Sequence, residues 1–213
     1  MSRTEDEDLA VIKDWWQRNG MPLLSGVALA LVLVFGWQAW QKYQINQAQS
    51  ASMIYQQLLE VVLSAKGQPD PGQVTKLANT LNTDFAGSHY AQYASLFVAK
   101  VAVESGKLDD AAAELQAVLD KPADAALGEL ARQRLAMVLS AQSKADEALK
   151  LLAGDAEPAY VASREELKGD LLVKLGRADE AHAAYQKAKV ALLDDAAVSA
   201  LQIKLDDLAK GDA

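Results

Sequence analysis

From Met21 to Trp40 the chain reads MPLLSGVALALVLVFGWQAW, twenty residues without a charge, whereas beyond Gln41 apolar positions recur every three or four residues among polar ones. As a helix, twenty residues rise about 30 Å, the thickness of the bilayer hydrocarbon. Nine of them are Leu, Val or Phe, each favouring insertion by roughly 0.3 to 0.6 kcal/mol at mid-membrane, so Ser25 and Gln38 are minor interruptions. Trp15 and Trp16 precede the run and Trp37, Trp40 and Tyr43 close it, as amphipathic rings do at headgroup depth. The pattern predicts an N-terminal segment over 1–20, a transmembrane helix over 21–41 and a water-exposed domain over 42–213.

Before the span, Thr4 and Glu7 have capping-box spacing and Glu5 to Asp8 suit a positive helix start. Leu9, Ile12 and Trp16 follow at helical intervals, and Asn19-Gly20 with Pro22 then predicts a break. A short helix lying on the membrane surface is expected. Arg3, Lys13 and Arg18 flank the span on its N-terminal side against Lys42 alone in the twenty residues after it, which places the N-terminus in the cytoplasm. A cleaved leader would share the basic-then-apolar order, but this run is long and ends in bulky Trp37 and Trp40 rather than a small-x-small site. Gly26 and Ala30 form a small-xxx-small pair that would let a second membrane helix approach.

No Gly or Pro occurs from Gln41 to Lys66, and Ile45, Ala48, Ser52, Tyr55, Leu59 and Val62 make a 3-4 seam. The seam is too short to predict a coiled coil and is expected to pack on neighbouring helices. After the turn-rich Gly67 to Gly72, Gln73 to Asn82 reads as a second helix. Three later segments then resemble one another: ESGKLDDAAAELQAVL from Glu104, AQSKADEALKLLAG from Ala141 and KLGRADEAHAAYQKAK from Lys174. Aligning Gly106, Ser143 and Gly176 gives steps of 37 and 33 residues. Two places later stand Leu108, Ala145 and Ala178; five places on, Ala111, Ala148 and Ala181; nine places on, Leu115, Leu152 and Tyr185. The turn residue lets the chain reverse and the alanine lets the second helix approach the first. This resembles the tetratricopeptide repeat over roughly residues 85 to 190, without its aromatic at the start of the first helix and with Ser143 in a glycine position. The fold class expected is all-α, a single transmembrane helix followed by a tetratricopeptide-like α-solenoid of helix pairs. Val198, Leu201, Leu205 and Leu208 predict an amphipathic last helix closing the stack.

Composition narrows the function. Hydrophobic residues make up 51% but aromatics only 6%, a balance typical of alanine-rich helices. A net charge of −8 leaves no basic stripe for nucleic acid. There is no cysteine, which excludes disulfides and thiolate chemistry. His89 and His182 belong to no metal-ligand spacing, no phosphate-binding glycine loop or nucleophile elbow occurs, and the pairs Asp109-Asp110, Asp194-Asp195 and Asp206-Asp207 read as solvated helix faces. No catalytic residue, cofactor or metal is expected. Carrying repeat positions across, the concave face lined by first helices is predicted to include Tyr93, Leu96, Lys100, Val103 and Glu104, then Leu130, Gln133 and Met137, then Glu166, Asp170, Val173 and Lys174. Apolar patches beside charges suit extended or partly unfolded polypeptide.

The order of features adds a further resemblance. The acidic start with Trp15-Trp16 and Asn19-Gly20, the span ending Phe35-Gly36-Trp37 and Trp40, DFAGSHYA at Asp84 to Ala91, Val101 to Glu104 with Gly106, and Leu167-Lys168-Gly169-Asp170 together resemble the YfgM family, ancillary subunits of the SecYEG translocon in Gram-negative bacteria. The resemblance implies a single-pass inner-membrane protein with a periplasmic domain, partnered by SecYEG, by a PpiD-like periplasmic chaperone and by unfolded or translocating polypeptides. A scaffold for another envelope assembly, or a stress-signalling adaptor acting through the cytoplasmic tail, would use the same anchor and repeats.

If the span is retained, mass spectrometry of the membrane fraction will recover the chain with residues 1–50 attached; a product starting near Ala51 would refute the anchor.

Overall fold

The computed structural model describes residues 2–64, 69–192 and 195–211, and every regular element among them is helical. Helix α1 (Ser2–Ser64) contributes to both compact units of the chain, Met1–Ser50 and Ala51–Ala213.

In the first unit the uncharged run stands open to its surroundings, with Leu29, Val32, Leu33 and Phe35 each more than 60% exposed. A soluble protein does not leave such a surface in water. One helix among the described residues is long and apolar enough to cross a membrane, within Ile12–Leu63. The break expected at Asn19-Gly20 and Pro22 does not occur, and Pro22 lies inside α1. Three local contacts explain this. Asn19 Nδ2 donates to the Trp15 carbonyl at 3.1 Å, and Ser25 Oγ donates to the Pro22 carbonyl at 2.8 Å, so both polar side chains support the helix. Gly20 lies under the Trp16 indole, where a Cβ would stand 3.2 Å from the ring, so this glycine seats an aromatic side chain and does not end a helix. Proline removes one N–H, a loss that long membrane helices tolerate. The expected capping box rests on the side chains of Thr4 and Glu7, and the turn on Gly67 and Gln68; these lie outside the described residues, as do Asp194 and the Asp195 side chain.

The second unit is built by adding one helix at a time. The last part of α1 packs with α2 (Pro71–Asp84) and α3 (His89–Glu104) around Ala51, Leu58, Val74, Ala78, Leu81, Ala91 and Ala94. Of the predicted 3-4 seam only Tyr55 and Val62 join this core; Ala51, Ile54, Leu58 and Val61 supply the rest. The buried face is rotated because Ala51, fully enclosed, permits a closer approach than Ser52 or Leu59 would. Asp70 caps α2 by accepting from Gly72 N at 2.9 Å, and Ser88 caps α3 by accepting from Ala91 N at 3.3 Å.

Next, α3, α4 (Leu108–Asp120) and α5 (Ala125–Ala141) share a core of Leu96, Ala99, Ala111, Leu115, Val118, Leu127, Ala131 and Leu135. Then α5, α6 (Ala145–Leu151) and α7 (Val161–Lys174) bury Ala136, Ala148, Leu152 and Leu171. Finally α7, α8 (Ala178–Ala191) and α9 (Asp195–Gly211) bury Leu172, Ala181, Tyr185, Ala188, Leu201 and Leu205. First helices therefore face two cores each, the arrangement of a repeat stack.

The three aligned turns are closed alike. Gly106, Ser143 and Gly176 have φ of 74°, 64° and 72°, the left-handed region that reverses a chain after a helix. The following amide donates back to the preceding helix each time: Lys107 to Ala102, Lys144 to Leu139 and Arg177 to Leu172, at 2.8, 2.8 and 2.9 Å. Ser143 adopts this conformation without glycine's freedom, the one such residue among those described. Beyond each turn Ala111, Ala148 and Ala181 are 0% exposed, at the contact the sequence pattern predicts. The acidic residues opening α4, α6 and α8 sit in the first turn, where the helix dipole favours negative charge.

Two contacts set the spacing of the later repeats. At Gly169 a Cβ would stand 2.3 Å from the Tyr185 ring, so only glycine lets α8 lie this close to α7. Helix α6 has seven residues against 13 in α4 and 14 in α8. Where it stops short, a buried ion pair joins the first helices instead. Arg164 Nε donates to Glu129 Oε1 at 2.8 Å, Arg164 Nη2 donates to Glu129 Oε2, and both residues are nearly enclosed. Burial pushes the Glu129 pKa up, but hydrogen bonds from Arg164 and Gln133 outweigh it and hold the carboxyl below its usual range.

Gly169→Ala is expected to lower unfolding stability by about 1 to 3 kcal/mol, read by denaturant titration, because the methyl group must displace the Tyr185 ring. A carboxyl with a depressed folded pKa contributes stability that is present above its unfolded pKa and lost as pH falls through the folded one. Glu129→Gln should therefore cost on the order of 3 kcal/mol near neutral pH and flatten the decline in melting temperature on acidification.

Candidate protein-binding groove

The first helices carry the residues the repeat pattern assigns to a concave surface. On α3, Lys100, Val103 and Glu104 are exposed, while Leu96 is only 6% exposed. Leu96 was expected on the surface and instead forms a floor, because it faces the Leu115 and Leu135 core. Tyr93 packs against the same core and lies 6.0 Å from the Tyr55 ring. Burial, with the neighbouring Tyr93 and Tyr90, raises the Tyr55 pKa.

Between α3 and α5 lies a groove of about 400 Å³ lined by Leu96, Ala99, Val103, Leu108, Leu115, Met137, Val138 and Ala141, with Lys100, Glu104 and Arg134 also on its walls. It gathers five of the predicted surface residues: Leu96, Lys100, Val103, Glu104 and Met137. Val103 and Met137, large apolar side chains, are 41% and 50% exposed and stand side by side with the buried Leu96 and Leu115 in this slot. Lys100 Nζ donates to Glu104 Oε1, so these two charges neutralise each other. Space for two or three apolar side chains, without a polar reacting group, is what the arrangement offers chemically.

The remaining predicted residues divide differently. Leu130 and Val173 are exposed, but neither lines this groove. Gln133 Nε2 donates to Glu129 Oε1 at 3.0 Å and to Ser163 Oγ at 2.9 Å, which ties α5 to α7. Lys174 Nζ donates to the Ser140 carbonyl at 2.6 Å. Glu166 and Asp170 accept from Lys204 of α9 at 2.8 and 2.6 Å, and Asp170 also accepts from the Tyr185 hydroxyl at 2.7 Å. Burial works to lower the Lys204 pKa, but these two carboxylates outweigh it. Burial, reinforced by Asp170, raises the Tyr185 pKa and keeps its hydroxyl a donor. At the α7 end of the predicted surface, Glu166 and Asp170 are thus paired with the chain's own last helix, while Val173 stays exposed.

Arg134 is the groove residue that apolar spacing does not reveal, since a cation interrupts the pattern; its place one turn before Met137 is the only signal in the sequence. His89 and His182 are exposed, the former 4.0 Å from Asp124 Oδ2. No three His, Asp or Glu residues converge to hold a metal among the described residues. In the first unit Gly26 and Ala30 are both exposed, and a Cβ at Gly26 would meet nothing within 4 Å.

Comparison with known proteins adds an independent line. Residues 13–210 match the family model described as a tetratricopeptide repeat-like domain. An Escherichia coli protein named ancillary SecYEG translocon subunit is 29% identical over 96% of this chain and 96% of its own length. Its namesake from Aggregatibacter actinomycetemcomitans is 30% identical over 87% of this chain and 88% of its own, and that from Neisseria gonorrhoeae 28% over 96% and 97%. A match that runs through the apolar span and the repeats alike means that the chain belongs to the tetratricopeptide repeat-like family of ancillary SecYEG translocon subunits.

Proposed function

We propose that this chain is a membrane-anchored binding subunit of the SecYEG translocon, whose repeat domain holds partner polypeptide in the groove between α3 and α5. The observation that carries the reading is the groove itself, an apolar slot with exposed Val103 and Met137 on helices of a repeat stack. The names of its near-full-length relatives support the place of action. The anchor enters the inner membrane with residues 1–20 in the cytoplasm, supported by Arg3, Lys13 and Arg18 against Lys42. The domain over 42–213 then stands in the periplasm. There it joins the translocon to a PpiD-like chaperone and assists polypeptides as they emerge, binding without catalysis. The Gly26 and Ala30 face, free of its own chain, is the candidate contact with a translocon helix.

Photocrosslinking in intact cells tests both halves. A photoreactive residue at Gly26 is expected to capture a translocon subunit. The same group at Met137 or Val103 should capture a periplasmic chaperone or a translocating chain, and at Val190, an 86% exposed position on α8, neither. Equal capture at Val190 and Met137, or no translocon product from Gly26, would overturn the proposal.

A further inference from the structure

Resting on the reading of the groove as a polypeptide site, we infer that it selects amphipathic segments in which a large apolar side chain is accompanied, about one helical turn away, by a carboxylate that Arg134 receives. The charges around the slot decide this. Three arginines lie on or face α5, and two are committed internally. Arg164 grips Glu129, and Arg132 donates to the Leu151 carbonyl at 3.2 Å while its Nε stands 3.6 Å from Glu129. Lys100 and Glu104 satisfy one another. Arg134 lines the same groove, is partly buried, and has no hydrogen-bond or ion-pair partner among the described residues. On a chain of net charge −8, the apolar slot therefore carries a local positive charge.

A guanidinium beside apolar walls rewards an incoming carboxylate, which it can hold by two parallel hydrogen bonds, and penalises an incoming ammonium, which would leave it desolvated beside a like charge. The lining runs from Leu96 to Glu104 on α3 and from Arg134 to Ala141 on α5, about two helical turns on each. That length matches apolar anchors at i and i+4. Val103 and Met137 remain about half exposed, so a wholly apolar ligand such as a lipid tail would leave much of itself in water. An amphipathic polypeptide, whose outer face is polar, suits the slot better.

The test uses the full chain in nanodiscs and three labelled peptides of 14 residues, alike except for Glu, Gln or Lys one turn from paired leucines. Fluorescence anisotropy should rank them Glu, Gln, Lys, with about tenfold between the first and last. Arg134→Glu should reverse the order and Arg134→Leu should erase it. Met137→Asp, at a half-exposed position that leaves the thermal unfolding unchanged, should abolish binding of all three. If Met137→Asp has no effect, the groove reading itself falls. If it abolishes binding but Arg134→Glu leaves the ranking intact, only the charge selection falls. Arg134-dependent binding of dodecanoate with no binding of any peptide would overturn the inference in favour of a lipid ligand.

Discussion

A helix pair closed by a left-handed residue has too little thickness to enclose its own apolar side chains, and that shortage organises the whole repeat domain. Each first helix must be covered on one side by its own partner and on the other by the preceding unit. Ala111, Ala148 and Ala181, all fully enclosed, make this possible by bringing the second helix close enough for Leu115, Leu152 and Tyr185 to reach the shared interior. What remains uncovered is the inner surface of the first helices, and in this chain it is apolar between α3 and α5.

The repeat period was readable because it depends on small residues in fixed places. Gly106 and Gly176 announce their turns, and Ser143 could be placed only by alignment with them, yet all three take the same backbone conformation. The uncharged span was equally plain. What the sequence concealed were contacts that spacing alone does not specify, some within one helix and some between residues far apart along the chain. Asn19-Gly20 resembles a helix end until the Trp16 ring is seen over the glycine. The Ile45 to Val62 spacing indicates a helix face but not which of two adjacent rows is buried, and Ala51 decides it by its small size. Nothing local to Glu129 or Arg164, 35 residues apart, shows that they meet.

The apolar groove between α3 and α5 was legible in outline for a similar reason. Repeat register identifies which helix faces inward, so Val103 and Met137 could be assigned from spacing alone. It does not say which polar residues are already engaged. Gln133, Glu166, Asp170 and Lys174 have the register of a concave face, but they bridge α5, α7 and α9. Side-chain pairing between successive helices, absent from any local pattern, thus engages the polar part of the long predicted surface.

Two of the ionic links between helices of the domain differ in their access to water, and ionic strength will act on them unequally. The Glu129–Arg164 pair is enclosed to within a few per cent, beyond the reach of screening ions. Lys204 and its two carboxylates are a third or more exposed, where counterions weaken attraction readily. Rising salt will thus weaken this tie to the last helix while the middle of the array stays joined, so a change in the ion content around the domain is felt first at its C-terminal end.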